Sequence, residues 1–443
     1  MYGAYCQRFD VSGVAFWPVT GRARIDLGNA AANTGTSQMK NRCQMPLSAG
    51  RPYLAIPGPS VMPDAVLQAM HQPAPNIYEG DIVEMVRAMV PDLLGVAKTK
   101  GKVAIYIANG HGAWEASLAN IANPGDKVLV CVTGRFGNGW AEMAEGLGIT
   151  AVCLDFGKQN GIDAARLEQA LREDTAHEYK AVLFNHVDTA TSLRNDPRPL
   201  RAALDGAGHP ALLMADCIAS LGCEEFHMDD WGVDVTLTGS QKGLMVPPGL
   251  SFVFVSPKAE EARRRVSRVS RYWDWTARID PDFFYQFFGG TAPTHHLFGL
   301  RASLDILHAE GIEQVWKRHQ TLARTIWAAC EAWGADNGAL RMNVADPALR
   351  SHAVTALGLG GQNGSALRKW VAENAGVTLG IGLGMETTQD PRGEGFFRIG
   401  HMGHLNAHMV LGMLGTLQAG MSAIGVHTGP GALEAAAKVV AKG

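Results

Sequence analysis

A lysine in a constrained loop offers the clearest chemistry in the chain. Residues 233–238 have the composition of a strand, and residues 239–249 read GSQKGLMVPPG, which places Lys242 between glycines and prolines. A lysine held among apolar groups has a lowered pKa and can form an imine with a carbonyl compound. The plainer interpretation, a solvent-exposed lysine in a turn, does not explain the apolar residues that follow it. The segment therefore indicates a reactive amine.

Two further segments could complete a site with this lysine. Asp216 ends the apolar segment 212–215, although on its own it could equally be a helix cap. Residues 109–112 read NGHG at the start of a helical segment, where amide groups and the helix dipole suit a phosphate. The run is neither GxGxxG nor a P-loop, so it does not specifically indicate a nucleotide. An imine-forming lysine, a carboxylate and a phosphate cup are what pyridoxal phosphate (PLP) requires.

The elements that must position these residues alternate regularly from residue 102 onward. Short apolar segments predict strands at 103–107, 128–132, 151–154, 181–184, 211–215, 233–238 and 251–255. Helical segments lie between several of them, at 112–122, 138–147, 164–172 and 199–204. This alternation predicts a mostly parallel sheet covered on both faces, with ligands at the carboxyl ends of its strands.

The pattern changes along the chain in a way that predicts three regions. In residues 1–50 the apolar residues recur neither every 2 residues, as in a strand, nor every 3.6, as in a helix. We interpret this region as a flexible N-terminal extension, or alternatively as an arm that clasps a partner subunit. Residues 51–300 form the large domain and residues 301–443 a smaller α/β domain. Within the last region we expect strands at 353–357 and 396–399 and helices at 365–374 and 407–423.

Composition excludes several classes of protein. The 443 residues carry a net charge of -3, which argues against a dedicated nucleic-acid binder. The seven cysteines contain no CxxC pair, so they predict neither a zinc ribbon nor a disulfide framework. His401, His404 and His408 share a stretch without cysteine or carboxylate, and we predict no metal site. No signal peptide or membrane-spanning run is evident, and we expect a cytoplasmic protein.

Several of these segments together resemble the class V aminotransferases, nearest to the serine–glyoxylate and alanine–glyoxylate branch. The resemblance is carried by residues 56–59, 112–116, 214–222, 239–244, 247–249 and 396–401, and extends over roughly 53–430. It implies PLP fold type I, with a large αβα domain, a smaller C-terminal α/β domain and a homodimer. It also implies amino transfer from serine or alanine to glyoxylate or pyruvate.

The resemblance implies a role for each matching position of the cofactor site. Lys242 would hold the cofactor covalently and carry the proton, and Asp216 would pair with the pyridinium nitrogen. The other implied contacts are the ring faces (Phe136 and Ile218), the phosphate (Gly110, His111, Gly112 and Gln241), the 3-oxygen of the ring (Thr189), and Thr291 from the second subunit. Arg398 would bind the substrate carboxylate, and Pro57 and Gly58 would border its pocket.

Some positions depart from the serine–glyoxylate pattern and leave the amino donor open. This chain reads VDTATS at 187–192 where those members read NETATG, and GGTAP at 289–293 where many carry YTP. The run at 398–403 is also similar to pyridoxamine–pyruvate aminotransferase. A cysteine desulfurase is disfavoured because no cysteine follows Cys330, and another PLP lyase of the same fold stays a less favoured alternative. A non-catalytic binding protein is disfavoured because Lys242, Asp216 and Arg398 are all present.

Overall fold

The structure, a computed structural model, describes residues 47–443. The predicted N-terminal extension therefore lies outside the described residues, apart from 47–50. The strands are β1 (Tyr53–Ala55), β2 (Lys102–Tyr106), β3 (Lys127–Val132), β4 (Thr150–Asp155), β5 (Tyr179–Asn185), β6 (Val187–Asp188), β7 (Leu193–Arg194), β8 (Leu212–Asp216), β9 (Val235–Gly239), β10 (Ser251–Val255), β11 (Arg341–Met342), β12 (Val354–Gly358), β13 (Val377–Ile381) and β14 (Phe396–Gly400).

Helices lie between most of these strands and after them. They are α1 (Asp64–Met70), α2 (Asp81–Ala97), α3 (Gly110–Ala119), α4 (Arg135–Gly146), α5 (Ala164–Glu173), α6 (Pro197–Gly206), α7 (Pro257–Arg263), α8 (Thr276–Ile279), α9 (Thr294–Glu310), α10 (Ile312–Gly334), α11 (Asn363–Ala375), α12 (Ala407–Ala423) and α13 (Ala432–Val440).

The larger sheet has seven strands in the order β2-β10-β9-β8-β5-β3-β4. Only β10 runs antiparallel to its neighbours, so the prediction of a mostly parallel sheet is confirmed. Consecutive residues of β2 enter different cores: Val103 and Ile105 pack on one face, Ala104 and Tyr106 on the other. Burial on both faces explains why these strands are almost continuously apolar.

The smaller sheet has the order β1-β13-β14-β12-β11 and packs on α10, α11 and α12. Its edge strand β1 comes from the start of the described chain and pairs in parallel with β13. Residues 56–60, which follow β1, thereby reach Lys242 in the loop after β9 of the larger sheet. Both sheets belong to one compact unit, Pro46–Gly443, and the predicted boundary at residue 300 stays a prediction.

Two negative findings apply to residues 47–443. No helix in this part of the chain is long and apolar enough to span a membrane. No three histidine, cysteine or acidic side chains within it are grouped closely enough to hold a metal ion. His401 is fully buried, whereas His404 and His408 are exposed, so the three histidines do not converge.

Candidate active site

A cavity of about 220 Å³ lies at the carboxyl ends of the parallel strands, where the chain leaves β2, β5, β8 and β9. It adjoins a groove of about 1160 Å³, with which it shares His111, Trp114 and Phe136. Its lining residues are Asn109, Gly110, His111, Trp114, Phe136, Val187, Thr189, Asp216, Ile218, Ala219, Gln241 and Lys242. Eight positions of the predicted cofactor site therefore meet in one cavity, because parallel strands end at the same edge of a sheet.

Lys242 is held at this cavity by a loop with a fixed backbone. The Ser240 hydroxyl donates to the carbonyl of Pro247 at 2.7 Å, and the Ser60 hydroxyl donates to the carbonyl of Lys242 at 2.8 Å. The Lys242 ammonium donates to the carbonyl of Pro57. Burial, and next the positive charge of Arg398, lowers the pKa of Lys242 to about 8. The amine can therefore exchange protons near neutral pH.

Pro57 and Gly58 lie beside this amine, and glycine is required at position 58. A Cβ there would overlap the side chain of Lys242, and the residue has a φ of +91°. The pair thus forms the wall against which Lys242 rests.

Asp216, at the end of β8, is buried and surrounded by donors. Its Oδ2 accepts from Trp114 Nε1 at 3.1 Å and from Asn185 Nδ2 at 2.7 Å, and its Oδ1 accepts from the amide of Ile218 at 2.8 Å. Burial raises the pKa of Asp216 to about 6, although these hydrogen bonds oppose the shift. A carboxylate has about four acceptor positions, so one remains on Oδ1 for a further donor.

Trp114 and Asn185 are functional residues that the sequence reasoning missed. Asn185 ends β5 directly opposite Asp216 in the parallel register. The signal that could have found it is the position itself, a polar residue that ends the strand next to the one that carries Asp216. Trp114 gave no comparable signal, because a buried indole in the first turns of a helix usually packs in a core.

Phe136 and Ile218 face the cavity from the starts of two different segments. The Phe136 ring packs edge-on against Trp114 at 6.3 Å between ring centroids. Ile218 occupies the space that a Cβ at Gly110 would need, so glycine at 110 lets that side chain reach the cavity. The two apolar side chains and the acceptor on Asp216 suit a flat heteroaromatic ring.

Two amides in the first turn of α3 are already hydrogen-bonded to the residue that caps the helix. Asn109 Oδ1 accepts from the amides of His111 at 3.1 Å and Gly112 at 3.3 Å. Burial, and then the charge of Arg135, lowers the pKa of His111. Gly112 does not line the cavity, and a Cβ at this position would meet Ala108 and Trp273.

Arg398 is a buried cation in the middle of β14, the central strand of the smaller sheet. Its Nε donates to the carbonyl of Ile381 at 2.7 Å and one terminal nitrogen donates to the carbonyl of Thr189 at 2.9 Å. Burial lowers its pKa to about 10, while the negative charge of Asp188 opposes that shift. Within residues 47–443 no carboxylate is close enough to form an ion pair with it. A small anion bound here would therefore find a desolvated guanidinium.

Thr291 is exposed in the turn before α9 and does not line the cavity of its own chain.

The residues present fit pyridoxal phosphate on three observations. Asp216 keeps a free acceptor position in a buried site, as a protonated pyridine nitrogen requires. Gln241 Oε1 is buried with no donor among the described residues, so the amide is free to turn and direct its NH₂ group at a phosphate. Lys242 presents an amine of lowered pKa to the same cavity.

Comparisons with known proteins agree on one family. The model of the family described as aminotransferase class-V matches residues 53–394. The chain is 35% identical to the serine–glyoxylate aminotransferase of Methylorubrum extorquens, over 88% of this chain and 95% of that protein. It is also 35% identical to the L-aspartate–glyoxylate aminotransferase of Paracoccus denitrificans, over 86% and 94%. The crystal structure of pyridoxamine–pyruvate aminotransferase from Mesorhizobium loti matches this chain with a TM-score of 0.78 at 24% sequence identity. The match covers 89% of this chain and 98% of that one, and it shows that the two proteins share a fold.

Proposed function

The chain belongs to the class-V aminotransferase family, and from that membership we propose that it transfers the amino group of a small amino acid, serine or alanine, to glyoxylate or pyruvate. The observation that carries this proposal is the shared cavity, in which the amine of Lys242 and the carboxylate of Asp216 lie together. Relatives named for serine–glyoxylate and L-aspartate–glyoxylate transfer support the acceptor, glyoxylate, more than any one donor.

We assign the chemical roles from the surroundings of each residue. When bound, PLP supplies an electron sink for the negative charge left at the substrate α-carbon. Asp216, with a pKa of about 6, is ionised at neutral pH and can hold a proton on the pyridine nitrogen. Lys242, with a pKa of about 8, can take a proton from one carbon and return it to another. Arg398 binds the substrate carboxylate.

A panel of donors and acceptors tests the proposal. The PLP-loaded protein is incubated with serine, alanine, aspartate or pyridoxamine, each with glyoxylate or pyruvate, and both products are quantified. We expect glycine or alanine to form in equal amount with the new oxo product, and serine or alanine to be the best donor. Turnover confined to pyridoxamine would replace the proposed donor, and no turnover with any amine would refute amino transfer. The Lys242→Ala protein is the control for background reaction.

We also propose that the protein is a homodimer in which Thr291 reaches the cavity of the other subunit. Phe283 and Tyr285, shortly before Thr291 in the chain, are 62% and 49% exposed and stack with 6.0 Å between ring centroids. Exposed aromatic rings of this kind mark contact surfaces. Thr291 itself is exposed and does not line the cavity of its own chain.

Mixing two inactive variants distinguishes this arrangement from a site built by one chain. Subunits carrying Thr291→Ala and Lys242→Ala are unfolded together and refolded, so that about half of the dimers contain one of each. If Thr291 serves the other subunit, each mixed dimer has one intact site, and activity and PLP affinity return. Their failure to return, or a monomer in sedimentation, would refute the arrangement without bearing on amino transfer.

A further inference from the structure

A second carboxylate, Asp188, lies behind the cavity wall and is completely buried. Its Oδ2 accepts from the amide of Phe136 at 2.9 Å. Its Oδ1 accepts from the amides of Ala190 at 2.9 Å and Thr191 at 3.4 Å. One carboxylate thus joins the first turn of α4 to the turn that follows β6.

Helix α4 depends on this carboxylate because its own N-cap cannot supply an acceptor. The cap residue is Gly134, which has no side chain, and no side-chain cap is formed from within the helix. A Cβ at Gly134 would lie 2.5 Å from the Cγ of Asp188. Asp188 therefore occupies the space that a capping side chain would fill, and its negative charge suits the helix N-terminus.

The two segments joined by Asp188 both carry residues of the site. The second residue of α4 is Phe136, whose ring lines the cavity. The residue after Asp188 is Thr189, whose carbonyl accepts from Arg398 at 2.9 Å. The charge of Asp188 also favours the charged form of the buried Arg398.

We infer that Asp188 is a positioning residue for two parts of the site. One of its oxygens fixes the Phe136 ring. The other fixes the Thr189 carbonyl, and that carbonyl in turn holds Arg398. This inference rests on the proposed function, because that function gives the ring and the guanidinium their ligands. Asparagine at 188 has one acceptor oxygen and one NH₂ group, so it can serve only one of the two sets of amide donors.

The test compares Asp188→Asn with a matched cap variant. Asp163 caps α5 in the same manner, accepting from Ala165 at 2.9 Å and Arg166 at 3.4 Å, but it is exposed and outside the cavity. For each variant we measure the dissociation constant of PLP from the apoprotein, the visible circular dichroism of the bound cofactor, and KM and kcat for the donor. Asp188→Asn should raise the dissociation constant and KM about tenfold or more and alter the dichroism, since buried amides lose their acceptor. Asp163→Asn should leave all of these measurements unchanged, because Asp163 accepts both amides through a single oxygen and the amide oxygen of asparagine can do the same.

A second variant keeps the test decisive if Asp188→Asn does not fold. Gly134→Ala leaves the carboxylate in place but puts a methyl group against it, and its extended backbone accepts alanine. The same changes in PLP affinity and dichroism are expected. Unchanged PLP affinity, dichroism and KM in a folded variant would overturn the inference. Failure of both variants to fold would also overturn it, because Asp188 would then be required for folding in general and not for positioning the site. Since PLP affinity and dichroism need no turnover, failure of the proposed reaction would be recognised separately, in the unaltered protein.

Discussion

The amine of Lys242 should react with PLP near neutral pH, where an ordinary lysine is almost wholly protonated. Burial, and then Arg398, lowers its pKa from 10.5 to about 8. This shift corresponds to roughly 3 kcal/mol in favour of the neutral amine, which is the nucleophile. The neutral fraction should be about 10% at pH 7, about half at pH 8 and about 90% at pH 9, against roughly 0.03% at pH 7 for an unperturbed lysine.

Rapid mixing of apoprotein with PLP between pH 6.5 and 10 measures this ionisation. The second-order rate constant should rise about tenfold from pH 7 to pH 9 and then level off. The same reaction with free butylamine corrects for ionisation of PLP itself. Arg398→Gln should move the plateau to higher pH, because the positive charge beside Lys242 is removed. The control is Lys158→Ala, which removes an exposed lysine of the adjoining groove and should leave the profile unchanged.

A rate constant that keeps rising about tenfold per pH unit up to pH 10 would refute this reasoning. Lys242 would then have an ordinary pKa, and the burial of its amine would have no effect on its chemistry. A profile shared by Lys158→Ala and the unaltered protein but absent from Lys242→Ala would establish which amine is observed.

Three further outcomes follow from the same contacts. Asp216 keeps its proton up to about pH 6 in the folded protein but releases it near pH 3.8 in the unfolded chain. The protonated carboxyl therefore stabilises the apoprotein below about pH 4, by up to ~3 kcal/mol, and this contribution is lost as the pH rises through about 6. Asp216→Asn should make the melting temperature less dependent on pH over this range. Arg398→Lys should raise KM for the donor about tenfold or more with a smaller change in kcat, because an ammonium cannot bond the Thr189 carbonyl and a carboxylate in the same two-pronged geometry. Glu224→Gln should lower the free energy of unfolding by about 1–3 kcal/mol in denaturant titrations, because an NH₂ group replaces the buried carboxylate oxygen that lies 2.8 Å from Nδ1 of the partly buried His352.

The sequence allowed the centre of the site to be predicted because its chemistry lies at strand ends. Lys242 and Asp216 each follow an apolar segment, and the rule that parallel strands end at one edge was enough to bring them together. The direction of β10 was not predictable from its apolar run alone. Its 11-residue connection from β9, counted from Ser240 to Leu250, returns it antiparallel.

The contacts that tune the site depend on tertiary placement and left little trace in the sequence. Asp188 caps a helix that begins more than 50 residues earlier, and nothing local to either segment indicates the pair. Strand β1 is three residues long, too short to show a period, and yet it carries Pro57 to Lys242. Asn109 was part of a predicted phosphate cup, but its side chain also caps the amides of that turn.

Chemical trapping tests the central claim, that Lys242 holds the cofactor, most directly. The PLP-loaded protein is reduced with borohydride, digested, and its peptides are identified by mass. We expect a pyridoxyl group on the peptide that contains Lys242 and none in the Lys242→Ala protein. A pyridoxyl group on another lysine, in equal yield with and without Lys242, would contradict it.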